Sequence, residues 1–470
     1  MTETASLPGL EKATAIERNE HAISRRNISP NALKVLRVLG KANFHAFLVG
    51  GGVRDLLLNK HPKDFDVATD ATPEQIRKLF RNSRIIGRRF KIVHIRFGRE
   101  TIEVTTFRAH HEVKTRLATN QSRKRIAGLD SAHASSGMIL RDNVYGNINE
   151  DALRRDFTVN ALYYTTDQFR LYDFCGSLND LQARQLRIIG DPELRYTEDP
   201  VRMLRAIRFA AKLGFGIEPA TEAPINSLAP LLEAIAPARL FDESLKLLAA
   251  GYAEKTYALL RHYEVGKYLF GPTLQATCDP ELTASKVVNL ALRNTDVRIA
   301  DGKTVTPAFL FAALLWPVLQ QRLQQRLQQH SQQHPQQYSQ QHSQQRPGER
   351  VNLQQLGEVA NEVLAEQSDF TAIPKRFAIS SREIWEAQLR LEQRSRQRVY
   401  SLLQHQRFRA AYDFLLLRNE AGEELEELCQ WWTEFQFSDT KRQEEMVAAL
   451  QTTGKRRRRR RKRKSAEAGQ

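Results

Sequence analysis

A glycine-rich turn stands just ahead of a pair of aspartates in the segment LVGGGVRDLLLNKHPKDFDV. Gly50, Gly51 and Gly52 follow a short apolar run that is typical of a buried strand, and without Cβ atoms they leave room for a phosphate to approach the backbone. The helical pattern that follows, with Arg54 in its first turn, would direct unpaired N–H groups at such an anion. A glycine triplet alone is also compatible with an ordinary turn.

Asp64 and Asp66 are separated by the single residue Phe65. If they lie on a strand, the two-residue period places both carboxylates on one face and directs Phe65 into the core. Two adjacent carboxylates need a cation, and few, hard oxygen ligands suit magnesium. A DxD pattern can also form an Asx turn. Its combination with the glycine turn favours metal-assisted phosphate chemistry.

A third carboxylate for this chemistry has two candidates. Asp156, in RRDFTVNA, could bind metal or orient an attacking hydroxyl while Arg155 meets a phosphate. It could also cap a helix or pair with Arg155. Glu103, in the strand-like segment IEVTTF, competes for the same role.

The segment EDPVRMLRAIRFA predicts a helix with basic residues at every third position, Arg202, Arg205 and Arg208. Arginines near the start of a helix gain nothing from its dipole, so they need an anionic or aromatic partner, and a nucleotide offers both phosphates and a base. The plainer alternatives are a solvated basic face and an N-cap role for Asp199.

The strand-like and helical patterns around these residues predict an α+β architecture. A chain of 470 residues is long enough for two or three domains. Strand-like segments dominate the first part of the chain and helical patterns the second. The predicted segments are an N-terminal extension (1–30), a small mixed-sheet head (31–189) with a flexible basic insertion (113–137), a helical neck (190–250), an all-α body (251–435) with a glutamine-rich insertion (320–346), and a disordered basic tail (436–470).

Composition restricts the location and the partners. The formal net charge is +17, and the run KRRRRRRKRK at residues 455–464 supplies ten of those charges. Such a tail would attract nucleic acid or an anionic membrane surface, although a purely solubilising role is an alternative. No stretch of 18 apolar residues and no signal segment is evident, so we expect a cytoplasmic protein. Three widely spaced cysteines exclude a disulfide framework and a zinc knuckle.

Taken together, LVGGGVRD, DFD, RRDFTVNALYY and EDPVRMLRAIRFA resemble the motifs of class II nucleotidyltransferases, the group that contains tRNA CCA-adding enzymes and bacterial poly(A) polymerases. The segment IIGRRFKIVHI, from Ile85 to Ile95, resembles the poly(A) polymerase branch, and later segments extend the resemblance to about Trp432. The glutamine run and the long loop after Glu112 depart from the family pattern.

The resemblance implies a nucleotidyltransferase head that adds AMP from ATP to RNA 3′ ends without a template, releases pyrophosphate and promotes RNA turnover. It also implies a site with two Mg²⁺ ions. The implied site residues are Asp64 and Asp66 for metal, Asp156 as the third acidic position, Gly51, Gly52 and Arg54 around the triphosphate, Asp199 and Arg202 for the base, and, with weaker support, Arg155, Arg205 and Arg208.

Two rival functions stay open at this point. A CCA-adding enzyme would share the head motifs but would also use CTP, and a non-catalytic RNA-binding scaffold would not need the three acidic groups. Partners expected from the resemblance are RNA, ATP and RNA-degradation or RNA-chaperone proteins, with peripheral membrane contact through the tail. Nothing in the sequence demands more than a monomer.

Overall fold

The structure of the chain is a computed structural model, described here for residues 7–87, 91–109, 116–117, 131–134, 139–142, 144–333, 351–394 and 396–450. The chain forms two compact units, Met1–Leu232 and Glu233–Gln470. The boundary lies inside the predicted neck.

All strands of the described ranges belong to the first unit. They are β1 (Thr14–Ile16), β2 (Ala46–Val49), β3 (Asp66–Thr69), β4 (Ser83–Ile86), β5 (Ile92–Phe97), β6 (Glu100–Thr106), β7 (Arg116–Leu117), β8 (Ser131–Ala134), β9 (Ile139–Asp142), β10 (Leu162–Tyr164), β11 (Leu171–Asp173), β12 (Gln185–Leu186) and β13 (Gly216–Ile217). Eight of them form one mixed sheet in the order β1-β11-β10-β2-β3-β6-β5-β4.

The first unit contains nine α-helices in its described ranges. They are α1 (Pro30–Lys41), α2 (Gly51–Leu57), α3 (Pro73–Leu79), α4 (Ile148–Leu153), α5 (Ser177–Gln182), α6 (Pro192–Glu198), α7 (Val201–Leu213), α8 (Pro219–Glu222) and α9 (Ile225–Leu228). Helix α1 is capped by Ser29, which accepts hydrogen bonds from the N–H groups of Asn31 and Ala32, and Pro30 occupies its first turn.

The N-terminal segment is part of the sheet unit, so its prediction as a separate extension is wrong from residue 7 onward. Strand β1 pairs antiparallel with β11 at the sheet edge. Leu7, Ile16, Ile23 and Ile28 are all buried. These apolar residues are too widely spaced to give a helical or strand-like period, but each finds a place in the core.

The predicted flexible insertion at 113–137 contains regular backbone. Strand β7 pairs parallel with β8, and β8 pairs antiparallel with β9, which gives a separate three-stranded sheet. Residues 116–117 and 131–134 of the predicted insertion therefore form strands, and the rest of the insertion lies outside the described residues.

Within its described ranges the second unit is entirely helical, as predicted. Its helices are α10 (Pro237–Leu248), α11 (Ala253–His262), α12 (Lys267–Ala276), α13 (Thr283–Ala300), α14 (Pro307–Gln333), α15 (Leu353–Phe370), α16 (Lys375–Glu392), α17 (Arg396–Leu403), α18 (Phe408–Glu420), α19 (Glu426–Phe437) and α20 (440–450).

The first part of the glutamine-rich segment is helical and continues α14. Arg322 pairs with Glu366 at 3.0 Å, and Arg326 pairs with Glu358 at 3.1 Å and also with Glu362, which fastens α14 to α15. The insertion predicted for residues 320–346 therefore begins as an ordered helix, and residues 334–346 lie outside the described part.

Order at the C-terminal end extends further than predicted. Helix α20 contributes Met446 and Val447 to a buried cluster that also contains Trp432 and Phe435. Disorder from residue 436 is therefore wrong as far as residue 450, and the arginine run lies outside the described residues.

The described helices and the three cysteines bear on membrane insertion and on disulfide formation. None of the described helices combines the length and the apolar character needed to cross a bilayer. Cys175, Cys278 and Cys429 are all free thiols.

Truncation after residue 437 should destabilise the second unit relative to truncation after residue 450. The shorter chain loses the buried side chains of Met446 and Val447, which should lower the free energy of unfolding by about 3–5 kcal/mol. Urea unfolding of the two truncated proteins measures the difference, and equal midpoints would contradict the packing of α20.

Candidate active site

The glycine turn connects β2 to α2 and lies between two charged side chains. Gly50 has φ +71° and ψ −141°, a conformation that favours glycine. A Cβ atom at Gly50 would lie 3.7 Å from Arg155 Nη1 and 3.7 Å from Asp66 Oδ2. The turn therefore passes directly beside a guanidinium and a carboxylate.

The same turn supports the DFD segment through Gly52. A Cβ atom there would lie 3.2 Å from the carbonyl oxygen of Asp64 and 3.4 Å from Cδ1 of Phe65, which is itself buried. The missing side chain thus lets the backbone before β3 pack against α2. The glycine turn and the DFD segment, about a dozen residues apart in sequence, are therefore in contact.

Asp66 is the first residue of β3 and has two neighbours in the sheet. It lies opposite Val49 in antiparallel β2 and opposite Glu103 in parallel β6. Paired residues in adjacent strands point to the same face, so Asp66 and Glu103 share one. His94, paired with Glu103 from β5, brings its Nε2 atom 3.1 Å from Glu103 Oε1. Asp64 lies just before the strand and is exposed.

The electrostatics of Asp66 match a site that takes a cation. Burial raises the pKa of the Asp66 carboxyl from 3.8 to about 6; Glu103 and Asp64 add to the rise, whereas Arg155 opposes it. In the described part of the chain, no three His, Cys, Asp or Glu residues form a complete metal-ligand set. A few carboxylates that need countercharge fit Mg²⁺, which keeps waters and substrate oxygens in its shell.

Arg155 is fixed next to this site by two partners. Its Nε donates to Tyr163 Oη at 2.8 Å and its Nη2 to Asp151 Oδ2 at 3.1 Å. Tyr163 also donates to Asp151 at 2.7 Å. Although burial opposes it, this environment raises the pKa of Arg155. The side chain is therefore a fixed cation with Nη1 on the side of Gly50.

Asp156 is held by Arg205 of α7 in this structure. Its Oδ2 accepts from Arg205 Nε at 2.7 Å, and its Oδ1 accepts from the backbone N–H of Phe157 at 2.8 Å and from Asn160 Nδ2 at 3.3 Å. Burial opposes ionisation, but Arg205 and these hydrogen bonds hold the pKa of Asp156 below its usual range. The neighbour of Asp66 in the sheet is Glu103, the competing candidate.

Arg54, predicted to lie around the triphosphate, has hydrogen-bond partners within the protein. It is buried, and its Nε and Nη2 donate to Asp55 Oδ1 at 2.8 and 2.6 Å. Its Nη1 donates to Asn160 Oδ1 at 2.6 Å. The guanidinium still lies beside the turn, since a Cβ atom at Gly51 would be 3.3 Å from its Nη2 atom, but it is buried there and paired within the protein.

Asp199 and Arg202, the residues predicted to read the base, lie at the junction of α6 and α7. Asp199 follows α6, and its carbonyl accepts from the N–H of Arg202 at 2.9 Å. The Arg202 side chain donates from Nη1 to Glu198 Oε2 at 2.8 Å and to the carbonyl of Arg195 at 2.7 Å. The side-chain partner of Arg202 is therefore Glu198.

The other two arginines of α7 surround an aromatic ring. Arg205 and Arg208 lie over the ring of Phe209, 5.3 and 4.9 Å from its centroid, and Arg54 approaches it to 5.5 Å. Phe209 meets Phe157 edge-on, with 5.7 Å between centroids. The RRDF motif and the arginine helix are thus joined through aromatic and ionic contacts.

Sequence reasoning missed the residues that orient the others, namely Asp151, Tyr163, Asn160 and Arg195. Arg195 is buried and donates from Nη2 to the carbonyls of Arg154 and Arg155 at 2.5 and 2.6 Å. Burial, followed by the nearby Arg202, lowers the pKa of Arg195 to about 10. Asn160 and Tyr163 stand within the quoted motif, which was the available signal; Asp151 and Arg195 carried none.

Comparison with known proteins identifies similar families along most of the chain. Residues 46–187 match the poly A polymerase head domain, residues 214–278 the probable RNA and SrmB-binding site of polymerase A, and residues 349–465 the polymerase A arginine-rich C-terminus.

Individual relatives agree with these matches. Poly(A) polymerase I of Escherichia coli O157:H7 is 48% identical over 93% of this chain and 89% of that protein. A CCA-adding enzyme of Lactobacillus helveticus is 34% identical over 48% of this chain and 52% of that protein. The structure of the Thermotoga maritima CCA-adding enzyme has a similar fold, with a TM-score of 0.53 and 19% identity over 88% of this chain and 84% of that one.

Gly52→Ala should displace Asp64 and Asp66, the residues predicted to bind metal, while leaving the fold intact. The added methyl group meets the Asp64 carbonyl at 3.2 Å, so the DFD backbone must shift. We expect binding of Mn²⁺, measured by electron paramagnetic resonance, to weaken about tenfold, the effect of about 1.4 kcal/mol. Gly40→Ala is the control, because its Cβ meets nothing within 4 Å. Unchanged binding in Gly52→Ala would show that this contact does not position the aspartates.

The raised pKa of Asp66 predicts a pH-dependent cost in metal-free protein. Between about pH 4 and 6 the folded state holds a proton that the unfolded state has lost, so the free energy of unfolding should fall as pH rises through this window. Above pH 6 the cost is constant. Asp66→Asn cannot ionise, so with EDTA present its Tm should exceed that of the wild type at pH 7, with a difference that shrinks towards pH 4. Parallel Tm curves would contradict the assignment.

Proposed function

The chain belongs to the poly(A) polymerase I family of nucleotidyltransferases, and from that membership we propose that it adds AMP from ATP to RNA 3′ ends without a template and releases pyrophosphate. The similarity to poly(A) polymerase I spans nearly the whole chain, whereas the similarity to the CCA-adding relative ends at about half of it. Matches to the arginine-rich C-terminus support the same choice.

The observation that carries the proposed chemistry is the position of Asp66, which lies beside the turn at Gly50 and opposite Glu103 in the sheet, two residues after Asp64. Asp64 and Asp66 would hold magnesium, with Glu103 beside them in the sheet. Magnesium bound there would lower the pKa of the attacking 3′ hydroxyl and would neutralise negative charge on the leaving pyrophosphate. The raised pKa of Asp66 supports this assignment because an ionised carboxylate in that place needs a positive partner.

Arg155 and the turn would bind the triphosphate. Arg155 is already oriented by Asp151 and Tyr163, so little side-chain entropy would be lost when its Nη1 donates to a phosphate oxygen. Gly50, Gly51 and Gly52 leave the backbone open to the same group. Arg54, in contrast, would support the turn from beneath through Asp55 and Asn160.

The nucleotide base and sugar would meet α7 and the residues before it. We assign Asp199 and Arg202 to the base, with Arg202 oriented by Glu198 before the nucleotide arrives. Arg205 and Arg208, on the same helix as Arg202, would lie on the side of the nucleotide that Arg202 contacts. Asp156 then contributes through Arg205, its partner, so the third acidic position of the motif would serve the nucleotide and Glu103 the metal region.

RNA would be held by sequence-independent contacts, as fits an enzyme that must accept its own lengthening product. The match of residues 214–278 to a probable RNA and SrmB-binding site supports an RNA contact and a protein partner in that range. The basic run at 455–464 would add salt-dependent affinity for RNA. We keep the cytoplasm as the proposed location and a monomer as the proposed state.

Glu103→Gln and Asp156→Asn should have different kinetic signatures. Loss of the Glu103 charge should raise the Mg²⁺ concentration needed for half-maximal rate, because the metal region loses a carboxylate. Loss of the Asp156 charge should instead raise KM for ATP about tenfold, because Arg205 loses its partner. Steady-state assays that vary Mg²⁺ and ATP independently separate the two. A shift in the Mg²⁺ requirement of Asp156→Asn alone would reverse the assignment.

The choice between polyadenylation and CCA addition is tested with each nucleotide in turn. Unstructured RNA with ATP should be extended by many residues, and CTP should be incorporated at least about tenfold more slowly. A tRNA that lacks its 3′ end is the parallel substrate. Efficient addition of two cytidines and one adenosine to that tRNA, without extension of unstructured RNA, would overturn the proposed function.

A further inference from the structure

Arg54 makes a buried connection that its motif position does not explain. The side chain is 1% exposed, two residues after the glycine turn. An unpaired guanidinium would be costly there, but Asp55 Oδ1 accepts from Nε and Nη2 and Asn160 Oδ1 accepts from Nη1. The hydrogen bond from Arg54 to Asn160 therefore connects α2 to the turn Thr158–Asn160 of the RRDFTVN motif.

The polarity of this connection is fixed by chemistry. Arginine has only donors, so the amide oxygen of Asn160 must face Arg54 and the amide nitrogen must face elsewhere. That nitrogen lies 3.3 Å from Asp156 Oδ1, and the other carboxylate oxygen accepts from Arg205 Nε at 2.7 Å. The order of groups is cation, amide, carboxylate, cation. Each member orients the next.

A second connection runs parallel to the first. Asp55 Oδ2 lies 3.6 Å from Lys212 Nζ near the end of α7. Between the two connections stands the ring of Phe209, which both Arg54 and Arg205 approach to within 5.5 Å of its centroid. Helix α2, which carries the glycine turn, is thereby fastened to the helix that carries Arg202, Arg205 and Arg208.

We propose that Arg54 and Asn160 are positioning residues, which set the orientation of Arg205 and hence the affinity for the incoming nucleotide without touching it. This inference rests on the proposed nucleotide-binding role of Arg205. A side chain of α7 that is held in place before binding loses less rotational freedom when the nucleotide arrives. The chain through Asn160 would therefore act on ground-state binding of the nucleotide.

The decisive variant is Asn160→Ala, which removes the middle of the connection. Binding of α,β-methylene-ATP with Mg²⁺, measured by isothermal titration calorimetry, should weaken about tenfold, and KM for ATP should rise equally while kcat changes by less than about threefold. The double variant with Arg205→Ala should bind no more weakly than Arg205→Ala alone, because the connection acts through Arg205.

Thr158→Val is the matched control. It removes a hydrogen bond of 2.7 Å from Thr158 Oγ1 to Asp180 Oδ2 on the same buried turn, outside the connection. We expect a lower Tm with unchanged nucleotide affinity. If Asn160→Ala does not fold, Asn160→Asp carries the test, since it keeps the acceptor for Arg54 and loses the donor to Asp156.

Two results would overturn the inference. One is unchanged nucleotide affinity in a folded Asn160 variant, and the other is a double variant whose loss is the product of the two single losses. Failure of the proposed function would be distinguishable from failure of this inference. A wild-type protein that binds the ATP analogue but does not extend RNA would disprove the function, and the coupling between Asn160 and Arg205 could still be measured by analogue binding.

Discussion

The first unit depends on keeping an ionisable carboxylate, Asp66, inside the rim of a sheet beside a second one, Glu103. The parallel register of β3 and β6 imposes this proximity, and burial makes ionisation of Asp66 costly. Arg155 offsets part of the cost, and a bound cation would offset the rest. The glycine turn is shaped by the same requirement, because Gly50 passes between Arg155 and Asp66 and Gly52 allows the DFD backbone to approach α2.

The proposed nucleotide side of the site differs from the Asp66 region in its charge balance. Here the charges are already compensated within the protein: Asp156 with Arg205, Arg202 with Glu198, and Arg54 with Asp55. Such pairs keep α7 in a defined orientation and hold its arginines without a ligand present. The proposed metal region, where Arg155 offsets only part of the negative charge, and the proposed recognition helix, whose charges are largely paired, would suit one substrate, a nucleotide that arrives with magnesium.

Local motifs allowed the sequence to predict the elements and residues that lie close together in the chain. The glycine turn and the DFD pair needed only neighbours in sequence, and the helical second unit followed from apolar periodicity. The partnership of Asp66 with Glu103 required the register of two parallel strands, which no local pattern encodes. The hydrogen bond of Arg54 to Asn160 joins residues 106 positions apart, so the motif around Arg54 could not show it. The three-residue strand β1 was missed because it is too short to show alternation.

The most direct test of this account is a crystal structure of the protein with Mn²⁺ and α,β-methylene-ATP, in which anomalous scattering locates the metal. The account predicts metal bound by Asp64 and Asp66, a phosphate oxygen in contact with Arg155, and Arg54 still paired with Asp55 and Asn160. Metal bound by an Asp156 carboxylate that has left Arg205, with Asp66 uncoordinated, would contradict it.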